Sequence, residues 1–312
     1  MSQSTAIKTR SMSHRDSQNL EHKKFIRHRG PVTCVAEVNN RNIAVTSGYD
    51  GAIGLFDLAS GKVQLVGYHD HLANKITVNE AGTRAASSSS DYTVCIWDIE
   101  AKSLEQTLLG HNDDVEDFVF VNDEVGVSVS RDCRVLVWDL RIGRIQRVIE
   151  GHERDALSVA YSNGRIYTSG DDMTLRVWDL ETGIMLHKWG PFENETDTCA
   201  IDTIQGRAIL GCDDGAIRIF DITSGESVSE IPAHSSGIKK VATSPLNGDI
   251  LSAAYDQKIF IWDAGTHRLK LELEHRPTVW ERSFNWSPDG NRILAGTFDG
   301  TVLVWDSRTG RC

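Results

Sequence analysis

An aromatic residue followed by aspartate recurs seven times along this chain: Phe56-Asp57, Trp97-Asp98, Trp138-Asp139, Trp178-Asp179, Phe220-Asp221, Trp262-Asp263 and Trp305-Asp306. Successive aspartates are 41, 41, 40, 42, 42 and 43 residues apart, and a second aspartate stands seven residues before each: Asp50, Asp91, Asp132, Asp172, Asp214, Asp256 and Asp299. Such a period means that one supersecondary unit is copied along the chain. Between the anchors each segment reads as four short runs of β-forming residues, broken by turn pairs such as Ser60-Gly61, Asn163-Gly164, Asn247-Gly248 and Asp289-Gly290. Helical periodicity is nowhere sustained. A sheet this small cannot bury its own two faces, so each copy must stack on its neighbours, and a closed ring does this without leaving an exposed end.

The segment RVLVWDLRIGR at 134–144 shows what stacking demands. Val135 and Val137 alternate with Leu136 and Trp138, so both faces of the strand are apolar, as in a sheet sandwiched between two others. Glycine-histidine pairs such as Gly110-His111 and Gly151-His152 complete the repeat. With this period, the turn aspartates and the Trp-Asp ends, the sequence resembles the WD-repeat proteins over nearly all of residues 19–312. The resemblance implies an all-β, seven-bladed β-propeller of four-stranded antiparallel blades. Residues 1–18 fall outside it; they are polar, carry Lys8, Arg10 and Arg15 among serines, and are expected to be disordered.

Strand counting bears on ring closure. After Asp306 only SRTGRC remains, too little for a fourth strand in the last blade, while NLEHKKFIR at 19–27 precedes the first repeat unpaired. That segment is expected to pair beside residues 301–306 as the missing outer strand.

Composition narrows the function classes. The net charge of −11 disfavours broad binding to a phosphate backbone, so nucleic acid is not an expected partner. No stretch approaches the length of a membrane span, and the N-terminal MSQSTAIKTRSMSHRDSQ lacks the apolar core of a secretory signal. Cys34, Cys95, Cys133, Cys199, Cys212 and Cys312 form no C-x-x-C pair and read as small buried apolar residues. A soluble protein of a reducing compartment is expected, in the cytoplasm or alternatively the nucleus, with no metal and no cofactor.

Histidine, hydroxyl and carboxylate recur together, which invites a hydrolase reading. The sets are His69, Ser87, Asp91 and Trp97; His111, Ser128, Asp132 and Trp138; His152, Thr168, Asp172 and Trp178; and His234, Ser252, Asp256 and Trp262. The first repeat has His28, Thr46 and Asp50, with Phe56 for tryptophan. A catalytic constellation is built once, whereas this one is built around a ring, so it is expected to be structural: aspartate accepts from imidazole, imidazole meets the hydroxyl, and the hydroxyl meets the indole N–H. No catalytic residue is expected. The fifth repeat has Leu210 and Phe220 in place of the hydroxyl and indole, and the seventh has Ala295 at the hydroxyl position with His275 displaced. Both blades are expected to rely mainly on apolar packing.

If each blade is a meander of strands a to d, the d-to-a loops and b-to-c turns share one face. The residue before each turn aspartate then points to the channel mouth: Tyr49, Ser90, Arg131, Asp171, Asp213, Tyr255 and Phe298. Tyr255, Phe298 and Tyr49 lie on consecutive blades of a closed ring and make an aromatic arc, opposite Asp171 and Asp213. Two readings stand side by side: a surface for a basic peptide of a partner protein, or loop packing. The resemblance implies the same face, since WD-repeat proteins commonly grip peptides there. Arg141 and Arg308, in WDLR and WDSR, are similar to the W-D-x-R pattern of WD-repeat substrate receptors of cullin-type ubiquitin ligases. The principal expectation is a non-enzymatic interaction scaffold or adaptor; the receptor is the alternative.

Overall fold

The structure, a computed structural model, describes residues 27–39, 41–274 and 279–312. Within them the chain forms seven antiparallel sheets, six of four strands and a last one of three, each a meander in which neighbours in sequence pair. Blade 3 is representative, with strands a to d at Val115–Phe120, Val125–Ser130, Arg134–Asp139 and Arg144–Glu150. The middle strands are buried on both faces, as their uninterrupted apolar runs require: Val135, Leu136, Val137 and Trp138 are all within the core. Outer strands are mostly exposed and carry charge, as in Arg144 and Arg147, which blunts the unpaired edge.

Apolar clusters lie between blades rather than within them. Ala86, Val94 and Ile96 of blade 2 pack with Phe118, Leu136 and Trp138 of blade 3. Val35, Ala44 and Phe56 of blade 1 pack with Leu294 and Val302 of blade 7, which closes the ring. The seam is also hydrogen-bonded: Val32 N–H donates to the Thr297 carbonyl at 3.0 Å, and the Asn285 amide donates to the Val35 carbonyl at 2.8 Å. Among the described residues blade 7 has three strands, Asn285–Trp286, Arg292–Gly296 and Val302–Asp306. The closing strand expected at 19–27 falls outside the described residues except for Arg27, as do the tail at 1–18 and His275.

Two turns recur. In the b-to-c turn, the residue after the turn aspartate takes a left-handed conformation in every blade: Gly51, Tyr92, Cys133, Met173, Gly215, Gln257 and Gly300. Glycine adopts it without strain; the other four residues do so at a cost of about 1–2 kcal/mol each. In the c-to-d turn, the aspartate of the aromatic-aspartate pair accepts from backbone N–H groups two or three residues on, as Asp57 does from Ala59 and Ser60, and Asp263 from Gly265 and Thr266. That carboxylate therefore ends the third strand by capping a turn.

Candidate partner-binding face

The histidine network sits under the face formed by d-to-a loops and b-to-c turns. In blade 3 the His111 Nδ1 lies 2.9 Å from Asp132, its Nε2 lies 2.7 Å from the Ser128 hydroxyl, and the Trp138 indole donates to that hydroxyl at 2.8 Å. Corresponding bonds join His69, Asp91, Ser87 and Trp97; His152, Asp172, Thr168 and Trp178; and His234, Asp256, Ser252 and Trp262. Blade 1 has the shorter form His28, Asp50 and Thr46. The turn aspartate does more than hold its histidine. Asp132 accepts from the Asn112 N–H of the d-to-a loop and the Arg134 N–H of the b-to-c turn, tying the two upper loops together. The same double acceptance occurs at Asp50, Asp91, Asp172 and Asp256. Five blades thus hold their upper loops rigid from beneath.

Burial opposes ionisation of these aspartates, but the histidine and backbone donors outweigh it, and Asp91 is held down to about 2. Asp132 and Asp172 are lowered further, with Arg134 adding to His111 at Asp132. His69 is buried as well, yet Asp91 and Cys95 bring it up to about 9, so blade 2 holds an ion pair; in His234, burial prevails and the ring is pushed down.

Blades 5 and 7 depart from the pattern. In blade 5, Phe220 is stacked at 5.0 Å by Trp189 from the outer strand of blade 4, as the apolar replacements suggest. The turn aspartate nevertheless keeps a polar partner that the sequence reading missed: Arg218 donates to Asp214 at 2.7 Å and lies over the Phe192 ring. In blade 7, Ala295 is buried and the Trp305 indole donates to the Glu274 carbonyl at 3.1 Å instead of to a hydroxyl.

On the upper face Tyr49, Tyr255 and Phe298 are 54%, 57% and 45% exposed. Among the described residues, ring contacts link two of the three. Tyr49 and Phe298 meet through Trp280, whose ring centroid lies 6.5 Å from the first and 5.0 Å from the second. Trp280 comes from the d-to-a side of blade 7, which has no repeat anchor to flag it. Tyr255 stands apart, with the Lys239 ammonium 4.7 Å from its ring centre. A pocket of about 420 Å³ beside Phe298 is lined by residues 27–30 and Asp299.

The acids also differ from their sequence description. Asp213 is paired with Lys239 at 2.6 Å, so it is not an open carboxylate. Arg131 is held by Glu116 at 2.5 Å and lies 3.8 Å from Asp155. Ser90 donates to Asp114 at 2.9 Å. Asp171 stays open. Its carboxylate, with those of Glu195 and Asp197, forms a group whose ligand atoms all lie within 4.8 Å. Asp197 is already taken by Lys239 and by Arg282 at 3.2 Å, and among the described residues Asp171 and Glu195 have no ion pair, Arg131 acting on Asp171 only at longer range. Burial, then Glu195, Asp155 and Asp197, push the Asp171 carboxyl up to about 6 against the opposing pull of Arg131. Such an arrangement favours an incoming cationic side chain over anything negative.

Arg141 and Arg308 are exposed on the c-to-d side, and each folds back on its own turn: Arg141 donates to Asp139 at 2.7 Å, and Arg308 lies 3.5 Å from Asp306. Of the cysteines, Cys34, Cys95, Cys199 and Cys212 are buried, whereas Cys133 is only half-buried and Cys312 exposed, against the expectation for those two.

The family model "WD domain, G-beta repeat" matches residues 20–57, 102–139, 143–179, 225–263 and 269–306. Each match ends on the aspartate of an aromatic-aspartate pair, and those from 102 onward begin at an outer strand of the preceding blade. Autophagy-related protein 16 of Arabidopsis thaliana is 26% identical over 86% of this chain, which corresponds to 46% of its own length. Protein tipD of Dictyostelium discoideum is 27% identical over 88% of this chain and 39% of its own. Guanine nucleotide-binding protein subunit beta-5b of Danio rerio is 34% identical over 66% and 54%. The chain therefore spans between 39% and 54% of the length of these relatives. The matched repeats, the closed ring of seven blades and the recurring histidine network make this chain a member of the WD-repeat family of β-propellers.

Proposed function

We propose that the propeller is a non-enzymatic interaction scaffold that grips a partner protein on its upper face through a segment bearing a basic side chain. The observation that carries this reading is the pair of carboxylates at Asp171 and Glu195, which are close to one another and to Asp155 and have no ion pair among the described residues, Arg131 offsetting their repulsion only in part. A guanidinium or ammonium from a partner supplies the missing charge, and the exposed rings of Tyr49, Phe298 and Tyr255, with the half-buried Trp280, supply apolar contact area around the same mouth. The rigid loops beneath reduce the ordering cost of binding. Relatives described as subunits of guanine nucleotide-binding proteins fit a propeller that works by contact with other chains. The alternative reading as a cullin-type ubiquitin-ligase receptor rests on Arg141 and Arg308 alone, which are exposed beside Asp139 and Asp306.

Affinity purification with mass spectrometry tests the proposal, with wild type compared against Asp171→Asn/Glu195→Gln and Tyr255→Ala/Phe298→Ala. Both variants are expected to fold and to lose a shared set of partners. Retention of every partner by both folded variants refutes the reading.

A further inference from the structure

The pocket of about 420 Å³ beside Phe298 carries charge of the opposite sign to the pair at Asp171 and Glu195. One wall is residues 27–30, the loop that enters blade 1; the other is Phe298 and Asp299, from the b-to-c turn of blade 7. The two walls are closely joined. The His28 N–H donates to the Gly300 carbonyl at 3.2 Å, and a Cβ on Gly300 would stand 2.2 Å from the His28 carbonyl oxygen, so glycine is what lets the segments approach this far. His28 is turned inward, its ring held by Asp50 at 3.0 Å and Thr46 at 2.8 Å, and the Arg29 N–H donates to the same Asp50 at 2.8 Å. These bonds fix the backbone from which Arg27 and Arg29 project.

Both arginines are exposed and line the pocket, and neither guanidinium has an ion pair among the described residues. The pocket's own carboxylate, Asp299, accepts from the Thr297 hydroxyl, while Asp50 accepts from the Ala52 N–H besides His28 and Arg29. Aromatic surface borders the guanidinium groups. Phe298 lines the pocket, Trp280 sits against both Phe298 and Tyr49, and a Cβ on Gly30 would stand 3.7 Å from that of Tyr49. Two guanidinium groups with free donors beside exposed rings suit an oxyanion carried on a short apolar stem. The nearby carboxylates of Asp299 and Asp50 oppose a dianionic phosphate more strongly than a single carboxylate.

We propose that this pocket is a second subsite of the upper face and takes a glutamate or aspartate side chain of the partner, so that the gripped segment carries an acid as well as a base. The inference rests on the reading of that face as the partner-binding surface. One subsite lies between blades 7 and 1 and the other between blades 4 and 5, three blades apart in a ring of seven and so on opposite sides of the mouth. A segment that engages both lies across the mouth in one direction, its base toward Asp171 and Glu195 and its acid toward Arg27 and Arg29.

Selection of a randomised peptide library, displayed on phage, against the intact protein tests this. Peptides retained by wild type are expected to be enriched in Asp or Glu as well as in Arg or Lys. On Arg27→Gln/Arg29→Gln the acidic enrichment is expected to fall to the level of the unselected library while the basic enrichment persists, and on Asp171→Asn/Glu195→Gln the reverse. In a retained peptide, Glu→Gln is expected to weaken binding about tenfold, and exchange of that Glu for phosphoserine to weaken it as well. Basic enrichment without acidic enrichment on wild type overturns the proposal, leaves the reading of Asp171 and Glu195 standing, and needs no variant to fold. Acidic enrichment without basic enrichment supports the subsite and counts against that reading. Acidic enrichment that survives in the folded arginine variant, or tighter binding of the phosphoserine peptide, also overturns the proposal.

Discussion

Replacing Ser128 by alanine removes one oxygen from a fully buried position, and the structure sets what this costs. The hydroxyl accepts from the Trp138 indole at 2.8 Å and meets His111 Nε2 at 2.7 Å, while His111 Nδ1 is committed to Asp132 at 2.9 Å. With the imidazole proton on Nδ1, serine donates to Nε2 and accepts from the indole, so every group is satisfied. Alanine leaves the indole N–H and the imidazole nitrogen without partners in a site closed to water, at roughly 1–3 kcal/mol for each orphaned group. The loss is expected to total about 2–6 kcal/mol, measured as the shift in urea midpoint at constant slope. A double-mutant cycle with Trp138→Phe isolates the cause. In the Ser128→Ala background the indole N–H is already orphaned, so its removal should cost about 1 kcal/mol less than it does in wild type. Additivity of the two substitutions, or a loss below about 0.5 kcal/mol for Ser128→Ala, refutes the account, because a mere packing role predicts both.

The remaining predictions follow from the same geometry. Asp91 ionises near pH 2 in the folded protein, so the stability it contributes is present above about pH 4 and is lost as pH falls through 2; the lowered Asp132 and Asp172 act in the same direction, and acid unfolding should steepen across this window. His69, raised to about 9, contributes stability below about pH 6.5 that is lost as pH rises through 9, and His69→Gln should remove that alkaline loss in a pH series of urea midpoints. Gly215 has a left-handed φ, and a Cβ there would stand 2.2 Å from the His234 carbonyl oxygen; Gly215→Ala should cost about 2 kcal/mol or more, whereas Met173→Gly, at the same turn position with φ 61°, should be neutral or stabilising. Deleting residues 1–27 should lower the thermal midpoint, whereas deleting 1–17 should not; equal midpoints refute the outer-strand assignment at 19–27.

What was legible in the sequence follows from repetition. A polar network copied in five blades needs the same residue types at the same spacing each time, so His111, Ser128, Asp132 and Trp138 announce their geometry by recurring as His152, Thr168, Asp172 and Trp178. The alternation of Val135 to Trp138 likewise encodes a strand buried on both faces, and hence the ring. The binding face is different in kind. Its side chains project from loops that the fold does not constrain, and nothing in the spacing marks Trp280 as the link between Tyr49 and Phe298, or Lys239 as the partner that withdraws Asp213.

Charge balance was the least legible feature. Asp171 and Asp213 occupy the same repeat position in neighbouring blades, yet one is open and the other paired, because a cation arrives at Asp213 from strand a of the next blade. Lys75 and Lys240 are 165 positions apart and belong to blades that are not neighbours; only the closing of the ring turns their side chains toward one another. The sequence by itself determined the repeating unit, because hydrogen-bond satisfaction and two-sided burial are local demands met within about forty residues. Tertiary structure alone decided which charges meet, because electrostatic energy depends on separation through space and burial, and neither is a property of position along the chain.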